Sequence, residues 1–299
     1  MQDILPFGAR GAVVVTGDDD QAYLEDYLGQ AKKLGRLPVT YFLHPLTRHV
    51  AESLARHEKG CLIEWELHPD ALDTPGEYAT RLAEQCEWFH KLTGRRPRFL
   101  RNHGFLNDGY WGHARPWLDQ GIVGSSNLPG VNGNVLNGSL LPARLSLNGV
   151  LTSHWSQLTA FGDGVFFIYD WDATVAIGAI LAAAQQIIDS GVPGVLVFNV
   201  HPANHEKAAP MLDAVHRLVE DLGFAAMTFG SMIDWFAERD ACRDSSTSDD
   251  MISPFVQTRI DSSDQSVSVR KSRLAVAADF ARRAFRTVAS LGSRVGGGH

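Results

Sequence analysis

Short apolar runs alternate with longer amphipathic segments over residues 12–238 of the chain. Short runs rich in Val, Ile and Phe predict strands at 12–15, 38–43, 61–67, 98–100, 122–126, 164–169, 195–200 and 224–228. Apolar residues at helical spacing predict helices at 21–35, 46–59, 74–93, 110–120, 173–190, 207–222 and 231–238. The Gly- and Asn-rich stretch 127–148 predicts a long loop.

This alternation of strands and helices is typical of a parallel sheet, and at 299 residues we expect closure into a (β/α) barrel. Polar or ionisable residues follow several strands, and such positions meet at the carboxyl edge of a parallel sheet. We therefore expect an α/β domain over residues 1–242 with a site at the strand ends. The composition changes at about Arg243, so residues 243–299 are expected to form a low-complexity linker and a basic, partly helical tail.

Composition and charge exclude some classes of function. The chain is 44% apolar with a formal net charge of -7, which supports a full core and argues against general nucleic-acid binding. No run of about 18 apolar residues indicates a membrane span. Residues 1–6 lack the basic and apolar regions of a secretory signal. Cys61, Cys86 and Cys242 are an odd number without CxxC spacing, so we expect a cytoplasmic protein.

The predicted tail combines an apolar stripe with basic side chains. The stripe has helical spacing and comprises Leu274, Ala278, Ala281, Phe285 and Val288. Six basic residues surround it: Arg270, Lys271, Arg273, Arg282, Arg283 and Arg286. A basic amphipathic helix can contact an anionic membrane surface or an acidic partner. Docking onto the acidic domain of the same chain and simple disorder are the alternatives.

Three consecutive carboxylates, Asp18, Asp19 and Asp20, follow the first predicted strand. Adjacent negative charges repel one another, so a fold keeps them together where solvent, a cation or a shared proton relieves them. One reading is a functional site at the mouth of the sheet. The structural alternative is a solvated turn with Asp20 as the N-cap of the 21–35 helix, which leaves Asp18 and Asp19 unexplained.

Further ionisable residues follow other strands. Glu64, Glu66 and His68 share one face of the third predicted strand by alternation, with His68 at its end. Arg101 and His103 come after the next strand, and the strand 164–169 leads to Asp170 and Asp172. His201 follows the late strand 195–200.

These residues lie in segments that resemble the polysaccharide deacetylase family, which comprises metal-dependent carbohydrate esterases. Residues 16–20, Thr-Gly-Asp-Asp-Asp, are similar to the family motif Thr-Phe-Asp-Asp-Gly, and residues 38–42 resemble the strand that follows it. Residues 93–101 resemble the segment that leads into the Arg-Pro-Pro-Tyr motif. Residues 195–202 are similar to the late Leu-x-His motif, and residues 222–228 to the end of such domains.

The resemblance covers residues 11–238 and implies a distorted (β/α) barrel with about seven parallel strands. It implies that Asp18 is the catalytic base and that Asp19 is a metal ligand. It implies that Arg101 orients the base and that His201 is the general acid. It also implies one divalent metal ion, zinc in the first place, with cobalt, manganese or nickel as alternatives.

The chain departs from the family pattern at the second histidine ligand. If His68 is the first ligand, Leu72 occupies the position of the second, and if His68 is the second ligand, Glu64 replaces the first. We prefer the first register because it places His68 at a strand tip. His103, in the sequence Arg-Asn-His-Gly, can supply the missing imidazole as a metal ligand. The triple Asp leaves open which carboxylate is the base and which is the ligand.

The function implied is a metal-dependent hydrolase that removes an N- or O-acyl group from a carbohydrate or a small acylated substrate. Such a reaction needs an activated water, a polarised carbonyl and a proton for the leaving group. One alternative is an inactive barrel that binds a glycan or a partner, which the missing histidine favours. The other is a haloacid-dehalogenase-type phosphatase, whose nucleophile motif the pair Asp18 and Asp20 resembles, although the later lysine and paired acids of that class are not evident.

Overall fold

The structure, a computed structural model, describes residues 4–20, 22–46, 62–70, 75–107, 112–130 and 140–246. The strands are β1 (Gly11–Asp18), β2 (Val39–Leu43), β3 (Ile63–Leu67), β4 (Phe99–Leu100), β5 (Gly124–Pro129), β6 (Ala143–Leu147), β7 (Val150–Thr159), β8 (Phe161–Gly162), β9 (Gly194–Asn199) and β10 (Ala225–Met227). The α-helices are α1 (Leu24–Leu34), α2 (Pro75–Thr93), α3 (Ala114–Asp119), α4 (Val165–Ile168), α5 (Ala173–Ser190), α6 (Ala209–Glu220) and α7 (Phe229–Ser246). The predicted helix at 46–59 lies almost wholly outside the described residues, and the basic tail lies wholly outside them.

The strands form one sheet in the order β6-β7-β5-β4-β3-β2-β1-β9-β8, with β10 beside the first half of β1. Every pair is parallel except β6 with β7. β7 pairs with β5, and one residue later β8 pairs with β9, so a single segment of chain contacts both ends of the sheet. Counted with β7 and β8 as one strand, β1–β5, β7/β8 and β9 make seven. The expected α/β class and distorted barrel are thereby confirmed.

Alternation along the strands separates an interior face from an outer face. Ala12 and Val14 of β1 belong to an interior apolar cluster, and Val13 and Val15 to a larger outer one. The interior cluster is closed by the first turn of α7 through Phe229, Met232 and Ile233. The outer cluster packs against α1, α2, α5 and α6. Because side chains alternate along a strand, Thr16 and Asp18 continue the interior row to the carboxyl end of β1.

Two expectations about local structure are wrong. Residues 165–168 form the short helix α4 instead of a strand, and the strand in this part of the chain is β8, immediately before Asp163. The predicted loop at 127–148 contains β6, which forms a hairpin with β7. Asn148 and Gly149 connect these strands with φ of 52° and 79°. Positive φ at both positions is the geometry that Asn-Gly favours in tight hairpins.

Helix α5 is long and apolar enough to cross a membrane by length and composition alone, with a mean hydropathy of 1.4. Core helices of soluble proteins meet the same criterion. In the fold, α5 packs onto the outer cluster through Ala176, Ile180, Ala184 and Ile187. The opposite face of α5 is largely exposed, so only one face of this helix is buried.

Gly17 lies where β1 passes close to the chain that follows β9. A Cβ at this position would lie 2.6 Å from the carbonyl oxygen of Val200 and 3.2 Å from the ring of Tyr41. The carbonyl oxygen of Val200 is a backbone atom that also accepts a hydrogen bond from Gln30, so it cannot move aside cheaply and glycine is required here.

We predict that Gly17→Ala lowers the free energy of unfolding by about 1–3 kcal/mol, because the added methyl overpacks the strand. Chemical denaturation measures this change. Gly178→Ala is the matched control, since a Cβ at that position of α5 meets nothing within 4 Å. The control should raise stability by up to about 1 kcal/mol through helix propensity. Wild-type stability of Gly17→Ala would contradict the prediction.

Candidate active site

Asp18 occupies the buried tip of β1. Its Oδ1 accepts a hydrogen bond from Arg101 Nη1 at 2.8 Å, and its Oδ2 accepts one from Asn199 Nδ2 at 2.8 Å. His68 Nδ1 and His201 Nε2 each lie 3.8 Å from its carboxylate. Burial opposes ionisation, but the charges of Arg101, His68 and His201 outweigh it and keep the pKa of Asp18 below its ordinary value. Asp18 is therefore an ionised acceptor at neutral pH.

Arg101 is fully buried and connects several strand ends. Besides Asp18, its guanidinium donates to Thr16 Oγ1 at 2.7 Å and to the carbonyl oxygen of Ser126 at 3.2 Å. The ring of Phe42 lies beneath it, 4.6 Å from Cζ to the ring centre. These contacts fix the guanidinium, and through it the Asp18 carboxylate, in one orientation.

Asp19 points into the gap between β1 and β2. Its Oδ1 accepts the backbone N–H of His44 at 2.6 Å, and its own N–H donates to the Phe42 carbonyl. Its carboxylate also faces the buried hydroxyl of Tyr27, whose pKa is raised by burial and by that negative charge. Asp19 thus tethers β1 to the end of β2 and to helix α1.

Asp20, His68 and His103 bring one carboxylate oxygen and two ring nitrogens within 4.8 Å of one another. His68 Nε2 lies 3.4 Å from Asp20 Oδ1, and His103 Nε2 lies 3.4 Å from Asp20 Oδ2. Burial raises the pKa of Asp20, but the adjacent imidazoles of His103 and His68 outweigh that effect and hold it well below the usual range. Helix α1 begins at Leu24 with Tyr23 as N-cap, so Asp20 is not a helix cap.

A backbone carbonyl fixes the orientation of the His68 ring. Its Nδ1–H donates to the carbonyl oxygen of Arg101 at 2.6 Å, which directs Nε2 away from that bond and towards Asp20. Nε2 is buried and makes no hydrogen bond within the part of the chain that the structure describes. A backbone carbonyl that fixes the far nitrogen is the usual support of a metal-binding histidine. The ring of His68 therefore has the fixed orientation that a metal ligand would need.

The turn that carries His103 is held by Asn102. The N–H of Asn102 donates to Asn127 Oδ1, and its side-chain amide donates to the carbonyl of Leu106, both at 2.8 Å. Tyr78 donates to Asn102 Oδ1 at 2.8 Å. These bonds fix the turn on which His103 lies beside Asp20.

His201 pairs with Asp163, an acid that the sequence analysis did not select. Asp163 lies directly after β8, and its Oδ1 is 2.9 Å from His201 Nδ1. The same carboxylate accepts the backbone N–H of His201 at 2.8 Å and the side-chain amide of Asn204 at 3.0 Å. Burial disfavours the imidazolium, yet the attraction of Asp163 outweighs it and raises the pKa of His201 to about 9. The nearby Asp172 instead caps α5.

His44 also lies at this site and was not selected from the sequence. Its ring centre is 5.7 Å from that of His68 and 5.1 Å from that of His103. Burial and the two neighbouring imidazoles lower the pKa of His44 to about 4. The signal available in the sequence was its position directly after a buried strand.

Glu64 does not reach the site, which removes one of the two registers considered for His68. Its Oε2 accepts hydrogen bonds from Thr40 Oγ1 at 2.7 Å and from the N–H of Gly230 at 2.8 Å. Glu64 therefore binds the first turn of α7. Leu72, the other alternative, lies outside the described residues. The predicted residues that do converge are Asp18, His68, Arg101, His103 and His201, with Asp19 behind them.

By sequence, neither a family model nor a curated protein matches the chain. Solved structures do match. A proposed polysaccharide deacetylase from Mycobacterium smegmatis has a TM-score of 0.61 and 17% identity, over 84% of this chain and 96% of that one. A proposed polysaccharide deacetylase from Pseudomonas aeruginosa PAO1 has a TM-score of 0.58 and 13% identity, over 78% and 93%.

The chitin deacetylase of the fungus Colletotrichum lindemuthianum has a TM-score of 0.50 and 12% identity, over 75% of this chain and 87% of that one. At such identities the likeness concerns the fold. The chain therefore has the fold of the polysaccharide deacetylases, as its motifs indicated.

Proposed function

We propose that this protein is a metal-dependent deacetylase that removes an N- or O-acyl group from a carbohydrate. The observation that carries the proposal is the group of Asp20, His68 and His103, set beside an ionised Asp18 and a protonated His201. Neighbours with the same fold are described as polysaccharide and chitin deacetylases, which supports a carbohydrate substrate.

Asp20, His68 and His103 fit a divalent ion. Their donor set of one carboxylate and two imidazoles suits zinc, cobalt, manganese or nickel, and we propose zinc. Within the described residues the buried Nε2 of His68 lies 3.4 Å from Asp20 Oδ1 and makes no hydrogen bond, which is costly because buried polar atoms are normally hydrogen-bonded. An ion held there would polarise the acyl carbonyl and lower the pKa of a bound water to about 7.

Asp18 is the base in this proposal. It is ionised, it is not among the grouped ligand atoms, and Arg101 holds its orientation. A carboxylate in this position can take the proton of the attacking water. The resulting assignment keeps Asp18 in the role that the resemblance implies and moves the ligand role from Asp19 to Asp20.

His201 is the proton donor for the leaving amine or alcohol. Its Nδ1 is fixed by Asp163, so Nε2 carries the proton that can be transferred. A general acid must be protonated at working pH, and a pKa of about 9 meets that requirement. At neutral pH Asp18 is therefore ionised and can accept a proton from water, whereas His201 is protonated and can donate one to the leaving group.

The first prediction from this proposal concerns the amount of metal that the protein binds. Protein purified without chelators and supplied with zinc should bind about one ion per chain, and His68→Ala should lose most of that affinity because a preorganised ligand is removed. Elemental analysis after gel filtration measures this. His90→Ala, on an exposed position of α2, is the matched control and should keep the ion. A wild-type protein that binds none of zinc, cobalt and manganese would contradict the proposed hydrolase. It would favour the alternative of an inactive barrel that binds a glycan or a partner.

The second prediction separates chemistry from metal binding. With N-acetylated oligosaccharides and O-acetylated sugars as test substrates, Asp18→Asn should release acetate about 10²–10⁴-fold more slowly while keeping the ion. Exposed Asp213→Asn serves as control. Because Asp18→Asn also leaves buried Arg101 without its charge partner, His201→Gln tests the same reaction at a more exposed residue. Unchanged acetate release in both variants would refute these roles.

The third prediction concerns pH. Asp163→Asn should lower the pKa of His201 by about 1–3 units, since an opposing charge in contact with it is lost. NMR titration of the imidazole measures this shift. Activity of the wild type should fall as pH rises through about 9, and in the variant it should fall at lower pH. Since the folded-state pKa is raised, the pair stabilises the fold below about pH 6.5, and that stabilisation disappears through about pH 9. An unshifted titration would contradict the pairing.

A further inference from the structure

The imidazole of His44 is placed beside the candidate metal ligands by the end of β2. The residue is 7% exposed, and its backbone N–H is held by Asp19 Oδ1. Its ring is inclined by 64° to both His68 and His103, which are themselves inclined by 66°. The centres of the three imidazole rings thus lie 5.1–5.7 Å from one another. His44 is the one of the three to which no role has yet been assigned.

The hydrogen bond at Nδ1 determines what His44 can do. The backbone N–H of Leu46 donates to His44 Nδ1 at 3.3 Å, so Nδ1 is an acceptor and carries no proton. In a neutral imidazole the other nitrogen then carries the proton. Nε2–H is a donor, and a donor binds oxygen, whereas a metal would need a lone pair at that atom.

That donor has no partner in the part of the chain that the structure describes. His44 Nε2 is buried without a hydrogen bond. Arg101, another donor at the site, is committed to Asp18, Thr16 and Ser126. A buried N–H without an acceptor is costly, and at a reactive centre it is suited to an oxygen on which negative charge develops.

We propose that His44 binds the acyl group of the substrate, donating a hydrogen bond from Nε2–H to its carbonyl oxygen. The inference rests on the proposed function and assigns a residue that neither the sequence motifs nor the grouped ligand atoms include. It predicts that the same donor holds a carboxylate oxygen of the product acid. Acetate is therefore a probe of His44 that does not depend on turnover.

The experiment measures zinc content and acetate affinity of the full chain by elemental analysis and isothermal titration calorimetry. His44→Phe keeps a buried ring but removes the donor, so acetate should bind about tenfold more weakly or worse, with zinc content unchanged. His44→Gln restores an N–H donor and should recover most of the affinity. His90→Phe, on the exposed face of α2, should behave as wild type.

Each other outcome overturns the inference in a recognisable way. Equal acetate affinity in wild type and His44→Phe, or no acetate binding by the zinc-loaded wild type, would remove the role of His44 and leave the metal site standing. Loss of zinc from His44→Phe would make His44 a ligand instead of a donor. A wild type that binds no zinc would overturn both this inference and the proposed function.

Discussion

The buried ion pair between Arg101 and Asp18 is the interaction on which the rest of the site depends. A guanidinium with no solvent exposure is tolerated only when its charge and its donors are satisfied. Asp18 supplies the charge, and Thr16 and Ser126 supply further acceptors. The pair therefore ties together the ends of β1, β4 and β5. It also places the carbonyl of Arg101 where it orients His68, so one residue positions both the proposed base and a proposed ligand.

Much of the fold could be predicted from the sequence because a buried strand in a parallel sheet has a simple signal. Apolar runs such as those of β1 and β9 followed by ionisable residues gave the sheet and the edge at which the site lies. The hairpin of β6 and β7 was missed although Asn148-Gly149 is a strong turn signal, because the flanking residues are mixed in polarity and the stretch before them is rich in Gly and Asn. Residues 164–169 were read as a strand because a short apolar run does not distinguish a strand from a buried helical turn.

The site was predictable in its composition and less so in its detailed geometry. His68, His103, Arg101 and His201 are each adjacent to a strand end, and that position can be read from the sequence. The sequence does not indicate which neighbours each of the three adjacent carboxylates faces. The chain leaves the sheet after Asp18, so the alternation of side chains along a strand no longer sets their directions. Asp163 cannot be identified from the sequence as a strand-end residue, because β8 has only two residues and shows no alternation of apolar and polar positions.

The continuity of β7 and β8 has a consequence for how the protein tolerates change. The segment from Val150 to Asp163 begins in an edge hairpin and ends at the partner of His201, with Ala160 the one residue between the two strands. A shift of one residue in strand register turns every side chain to the opposite face. An insertion or deletion within β7 would therefore carry Asp163 away from His201 while the apolar core still had enough surface to bury. Length changes are best tolerated in the turn at Asn148–Gly149, whereas those inside the strand would yield a folded protein in which Asp163 no longer pairs with His201.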